Sequence, residues 1–176
     1  YKSTKRSAVT LGKFDGLHRG HRKLTDKVRE LSRENDVESV VCAFDMRPLF
    51  ERLQTPRQVL MTKEERRERL EGKVDYLVDC PFTEEFSQMK AEDFIRDVLC
   101  GIFHAAFIVV GSDFCFGHEK RGNIHMLAAY EEKYDYQLIV VEKEKYGNRE
   151  ISSTYVKEML QKGEMQLVET LLGYPY

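Results

Sequence analysis

The chain has 176 residues, 41 % of them hydrophobic and 33 % charged, with no tryptophan. A chain of this length suits one domain that buries about 70 % of its unfolded surface, so it needs neither disulfides nor a metal to hold a core. Its 28 basic and 30 acidic residues nearly cancel, which excludes a general nucleic-acid footprint and means that any anionic ligand must be met locally.

No run approaches the roughly 20 apolar residues of a membrane span, and the start YKSTKRSAVT carries no secretory cleavage pattern. The expectation is a cytoplasmic protein that engages neither membrane nor nucleic acid. Cys42, Cys80, Cys100 and Cys115 form no CxxC pair and read as buried free thiols rather than a zinc site.

In chain order, SAVTLG (7–12) is a short apolar strand, and Arg19 to about Glu34 has helical spacing, with Leu24, Val28 and Leu31 on one face. VESVVCAF (37–44) is β-branched and nearly continuous, as a strand covered on both faces should be. TKEERRERLEG (62–72) is a charged helix with Thr62 as N-cap and Glu65 completing a capping box. A strand at VDYLVD (74–79), a helix at KAEDFIRDVLCGIF (90–103) and a buried strand at AAFIVVGS (105–112) follow. NIHMLAAYEEKYD (123–135) reads as helix, YQLIVVE (136–142) as strand, and SSTYVKEMLQKG (152–163) as a helix opened by Ser or Thr and closed by Gly163.

Strands separated by helices of this length imply βαβ crossovers. The expected fold is α/β: a Rossmann-like, doubly wound parallel sheet of about five strands with helices on both faces. Ligands in such folds bind beyond the carboxyl ends of the strands, where the strand order reverses. GKFDGLHRGH (12–21), FDMRP (44–48), GSDFCFG (111–117) and EISST (150–154) all fall at that edge.

In GKFDGLHRGH, Gly12 and Gly16 allow a tight turn and close backbone approach, and the helix that follows should aim free N–H groups at an anion. His18 and His21 would add imidazole donors. The glycines match neither the Walker P-loop nor the dinucleotide GxGxxG, and the expectation is backbone phosphate contacts without a separate lysine cluster. The alternatives are two solvated histidines or a zinc pair completed from elsewhere. Ser152, Ser153 and Thr154 offer a second phosphate cradle, with Lys157 one turn on; alternatively ISST merely caps a helix. Between Gly111 and Gly117, Asp113, Phe114 and Phe116 offer a polar group and ring faces to a flat ligand, or the two aromatics belong to the core.

Together these stretches resemble the HxGH nucleotidyltransferases, and among them the FAD synthetase (FMN adenylyltransferase) domain of the bacterial bifunctional riboflavin kinase/FAD synthetase family. VTLGKFDGLHRGH is similar to that family's GNFDGVHxGH, VGSDFCFGHEKRGN to its VGxDFxFGxxRxG, ISSTYVK to its ISSTxIR, and LLGYPY to the stretch leading into the kinase domain. The resemblance implies a nucleotidyltransferase-type sheet and AMP transfer from MgATP to FMN, giving FAD and pyrophosphate. His18, His21 and Lys157 would be catalytic. ATP and its phosphates would be held by Gly12, Lys13, Phe14, Asp15, Gly16, Gly111, Ser152, Ser153 and Thr154, together with those three. The flavin would be met by Phe44, Arg47, Asp113, Phe114, Phe116, Gly117 and Arg121. Mg²⁺ would be carried mainly by the ATP phosphates rather than by protein ligands.

Three positions depart from the pattern. Lys13 replaces Asn, Lys157 replaces Arg, and FDMRP replaces FxPHP, so that Arg47 stands near a missing histidine. No riboflavin kinase motif is visible, so residues 1–176 are expected to be one nucleotidyltransferase domain without kinase activity, with a riboflavin kinase supplying FMN. The alternative functions are transfer to a non-flavin acceptor, or a degenerate domain that binds flavin or nucleotide for regulation.

Overall fold

The computed structural model describes residues 1–54 and 58–176. Five strands form one parallel sheet in the order β3-β2-β1-β4-β5: β1 (Ser7–Gly12), β2 (Glu38–Asp45), β3 (Tyr76–Pro81), β4 (Ala105–Gly111) and β5 (Gln137–Val141). From β1 the chain winds outward through β2 to β3, then crosses back to β4 and β5. The order therefore reverses between β1 and β4, whose carboxyl ends are Gly12 and Gly111.

Alternation along each strand fills both faces, as a sheet with helices on either side requires. Val9, Leu11, Val40, Cys42, Ile108 and Val110 pack against Phe94, Ile95, Leu99 and Leu127. On the other face Ala8 and Val109 meet Val28 and Leu31 of α1 (Arg19–Asn35), and Val41 and Ala43 meet Phe14 and Leu70. Thr62 caps α3 (Lys63–Leu70), its hydroxyl accepting the Glu65 N–H at 3.1 Å.

Several elements differ from the sequence reading. The helix expected over 90–103 begins as α5 (Ala91–Asp93) and continues as a π-helix over Phe94–Cys100. The helix expected over 123–135 is interrupted at Tyr130, giving α6 (Ile124–Ala129) and α7 (Glu131–Tyr134). Short helices α2 (Arg47–Leu53) and α4 (Glu84–Ser87) and the hairpin strands β6 (Lys145–Tyr146) and β7 (Arg149–Glu150) lay outside the expected elements. All four cysteines are free, but of those expected to be buried only Cys42 is; Cys80 and Cys100 are half-buried and Cys115 is exposed.

The chain ends in a helix pair, α8 (Ser153–Gln161) and the unanticipated α9 (Met165–Leu172), turning at Gly163. Their apolar faces enclose Leu60, Ile151, Val156, Val168, Leu171 and Leu172 in a cluster of their own. This cluster presses on the turn after β1: a Cβ on Gly16 would lie 2.8 Å from Leu60 Cδ1 and 3.5 Å from Leu172 Cδ2. Among the described residues no helix is long and apolar enough to cross a membrane.

Two glycines separate the cost of backbone conformation from that of crowding. Gly72 and Gly117 both have positive φ, at +75° and +78°, but a Cβ at Gly72 meets open space whereas at Gly117 it would stand 2.7 Å from Ala91 Cα and 2.9 Å from Ala91 N. Gly72→Ala should cost about 1 kcal/mol, and Gly117→Ala distinctly more because the start of α5 at Ala91 would have to move. Denaturant midpoints of the two variants would check this, equal losses contradicting it.

Candidate active site

The turn after β1 begins at Gly12, where a Cβ would lie 3.5 Å from the Phe14 ring. Phe14 and Leu17 have positive φ (51° and 42°), as does Gly16 (89°). Phe14 is fully buried in the core, which leaves its backbone, as expected, rather than its ring to approach a ligand. It backs His21 instead, with ring centroids 5.1 Å apart.

His18 is the N-cap of α1: its Nδ1 accepts the N–H groups of Gly20 (3.1 Å) and His21 (3.3 Å). This corrects the expectation of free amides at the helix start, because two of them are spent on the imidazole. It also explains Gly20, which the sequence reading passed over within HRGH: a Cβ there would lie 2.9 Å from His18 Cε1. With Nδ1 accepting, the neutral ring carries its proton on Nε2, which leaves that N–H as its donor. The His18 and His21 rings stack at 3.6 Å with 16° between planes.

Burial pushes the His18 pKa down to about 4, with the Lys143 charge adding to the effect and Asp15 opposing it. His21 is also held well below the usual imidazole range, first by burial and then by His18, Lys143 and Arg66. Its Nδ1 is buried with no hydrogen-bond partner among the described residues. Both rings are therefore neutral at pH 7, and neutral imidazoles act as hydrogen-bond donors rather than as charges.

The positive charge comes from lysines. The Lys13 ammonium is held below its ordinary value, first by partial burial and then by Lys120 and Lys157. Lys157 reaches Asp15 at 3.1 Å, and Lys143 reaches Asp113 at 2.7 Å while its Cε lies 3.7 Å from where a Gly111 Cβ would be. Lysines from four segments thus gather at the switch point, Lys13 and Lys157 as expected, but joined by Lys120 and Lys143 where no separate lysine cluster was expected. Lys120 and Lys143 were missed. In the FGxxRxG pattern, counting from Gly117 puts the arginine position at Lys120, whereas Arg121 lies out on the surface paired with Glu119 at 3.0 Å.

ISST divides its labour. Ser152 is the N-cap of α8, accepting the Tyr155 N–H at 3.1 Å, as the simple-cap alternative had it. Ser153 donates to the Asp15 carbonyl at 2.7 Å, and Thr154 is exposed. Asp15 is likewise committed: its carboxylate accepts the amides of Leu60 (2.9 Å) and Met61 (3.3 Å).

On the other side of the switch point an aromatic seam runs from β2 to the GSDFCFG loop. Phe44 meets Phe86 at 6.0 Å, Phe86 meets Phe94 at 6.0 Å, Phe94 meets Phe116 at 5.3 Å, and Phe116 stacks on Phe114 at 5.7 Å. Phe82 joins at 5.6 Å from Phe86. Phe116 is core, only 6 % exposed, so Phe114 and Phe44, both half-buried, are the outward ends of the seam. Phe82 and Phe86 escaped sequence reading, although CPFTEEF just past a strand was their signal. Arg47 is bound to Asp45, its Nε donating to both carboxylate oxygens (3.0 and 2.9 Å), which holds the Asp45 carboxyl down to about 2.

A parallel five-stranded sheet in this order, with His18 capping the helix at its switch point and stacked on His21, is a nucleotidyltransferase-like α/β fold. Residues 1–155 match the family model for FAD synthetase. The bifunctional riboflavin kinase/FMN adenylyltransferase of Buchnera aphidicola (subsp. Schizaphis graminum) is 31 % identical over 99 % of this chain and 57 % of its own length. That of Escherichia coli K12 is 32 % identical over 96 % and 54 %. The crystal structure of a macrolide-efflux protein from Streptococcus pneumoniae superimposes with a TM-score of 0.86 at 26 % identity, covering 99 % of this chain and 58 % of that one. The chain belongs to the FAD synthetase family. It spans little more than half the length of the two bifunctional relatives.

The buried His18 makes stability depend on pH. Its folded pKa lies below the unfolded value of about 6.5, so the unfolded chain binds more protons between those values and stability falls as pH drops from about 6.5 toward 4. The shift corresponds to about 3 kcal/mol. His18→Asn keeps a capping acceptor and should flatten that part of the slope in urea titrations at pH 7, 5.5 and 4.5; an unchanged slope contradicts the assignment.

Proposed function

We propose that the protein is an FMN adenylyltransferase, transferring AMP from MgATP to FMN to give FAD and pyrophosphate. The observation that carries this reading is the stacked, neutral His18–His21 pair set among Lys13, Lys120, Lys143 and Lys157. A phosphate oxygen of FMN attacks the α-phosphorus, the bond from that phosphorus to the bridging oxygen breaks, and pyrophosphate leaves with its negative charge. FMN phosphate is already anionic near neutral pH, so no base is required and catalysis is positioning plus charge stabilisation.

In this reading the imidazole N–H groups meet phosphate oxygens as charge moves toward the leaving group, and the lysines meet the pyrophosphate. Gly12, Gly16 and Gly111 let the chain approach the nucleotide, while Ser152, Ser153 and Thr154 frame the opposite side. The flavin ring lies along Phe44 and Phe114, backed by Phe116 and Gly117, with Asp113 at its polar edge. Arg47 is less free to serve there because Asp45 holds it. Magnesium enters as part of the MgATP substrate, since the two carboxylates at the site are each paired with a lysine, Asp15 with Lys157 and Asp113 with Lys143. FMN itself would come from phosphorylation of riboflavin, the other activity in the names of the bifunctional relatives.

Incubation with FMN, ATP and Mg²⁺ should yield FAD and pyrophosphate in equal amounts by chromatography. His21→Ala should lower kcat by about 10²–10³-fold, the usual loss on removing one donor to transition-state charge. No FAD despite measurable FMN binding would favour the regulatory alternative, and turnover of other phosphorylated acceptors but not FMN would favour a non-flavin transferase. Lys120→Ala should lower kcat/KM for ATP about tenfold, as expected for one lost hydrogen bond to a charged group, and Arg121→Ala should leave it near wild type. The reverse ranking would restore Arg121 to the site.

A further inference from the structure

A cavity lies alongside α1, apart from the histidine pair, with a volume of about 310 Å³. Arg22 and Arg29 line it from α1, Arg69 and Lys73 from α3 and the turn after it, and Asp26 is the one carboxylate among its lining residues. Leu17 and Leu70, both buried, give it an apolar floor. Four cations from two elements facing one acid repel each other, and internal partners relieve little of this. Arg29 is 3.8 Å from Asp26, Arg22 reaches the Gly173 carbonyl at 3.4 Å, and Arg69 lies 3.6 Å over the Tyr174 ring. Lys73 has no ion pair among the described residues.

We propose that this cavity is a second anion site, one that takes a phosphomonoester of about mononucleotide size. Guanidinium groups converging from two sides suit phosphate oxygens. The volume is at the lower bound of small-molecule pockets, about 300 Å³, and the leucine floor accepts an apolar or ring-bearing body. The site is separate from the one proposed for adenylyl transfer but joined to its turn: the Tyr174 hydroxyl donates to the Gly16 carbonyl, and Leu17 belongs to the same turn. An occupant that draws Arg69 off Tyr174 therefore acts on the segment that carries His18.

The test uses AMP and inorganic phosphate as separate probes at constant ionic strength, read by amide chemical shifts, and it stands whether or not the chain makes FAD. AMP should give saturable shifts at Asp26, Arg29 and Lys73, and the double variant Arg29→Glu/Lys73→Glu, which lies outside the histidine site, should weaken that binding at least tenfold while leaving the thermal midpoint near wild type. Shifts that do not saturate, or that sodium chloride reproduces, would overturn the site. Equal AMP affinity in the double variant would do the same. Saturation by inorganic phosphate without AMP would overturn the phosphomonoester assignment.

Discussion

Asp15 ties together the segments on which the site is built. Its carboxylate receives the amides of Leu60 and Met61 and the Lys157 ammonium, and its carbonyl receives the Ser153 hydroxyl. One residue in the turn after β1 thereby fixes both the stretch before α3 and the first turn of α8. The turn needs such fastening, because the non-glycine residues Phe14 and Leu17 hold left-handed backbone, each at a cost of order 1–3 kcal/mol unless the surroundings compensate. Burial of the Phe14 ring and the hydrogen bonds of Asp15 provide that compensation, and the result is a rigid cradle rather than a flexible loop.

Rigidity matters because the adenylyl transfer proposed for the site is electrostatic chemistry. The two imidazoles are kept neutral chiefly by burial, with Lys143 adding to the effect on both, so neither repels the lysines and each retains an N–H to donate. The lysines are held apart from one another by carboxylates at their tips, Lys157 by Asp15 and Lys143 by Asp113. A polyphosphate entering the crevice replaces like-charge repulsion with attraction, so the free protein is poised for an anion. Preorganised donors of this kind do not reorganise at the moment of reaction.

The sheet and the place of the site were legible because they follow from periodicity and topology. Strands β1, β2, β4 and β5 fall where apolar, β-branched runs alternate with helical ones, and HRGH falls at the end of the first strand. What was not legible depended on where particular side chains turn. Whether His18 faces a ligand or its own helix is decided by its rotamer and by the absent side chain of Gly20, which spacing does not encode. Lys120 and Lys143 reach the site from segments distant in sequence, and a lysine in a charged loop looks like any solvated lysine. Gly163 ends α8 as expected, but it is also the corner to a further packed helix, α9, which the sequence reading did not reach.

The departures from the FAD synthetase pattern now form a consistent set. Lysine stands at 13 where that pattern has asparagine, and at 157 and 120 where it has arginine. An ammonium is a point charge and cannot reproduce the planar two-pronged grip of a guanidinium, so each Arg-to-Lys change surrenders orientation. Lys13 adds a charge where there was none, and its affinity for protons is lowered first by burial and then by the fields of Lys120 and Lys157. The site thus replaces a few directed contacts with a denser, less directional field. In the proposed transfer, orientation of the phosphates would then fall to the glycine turn, the His18 cap and the Asp15 fastening.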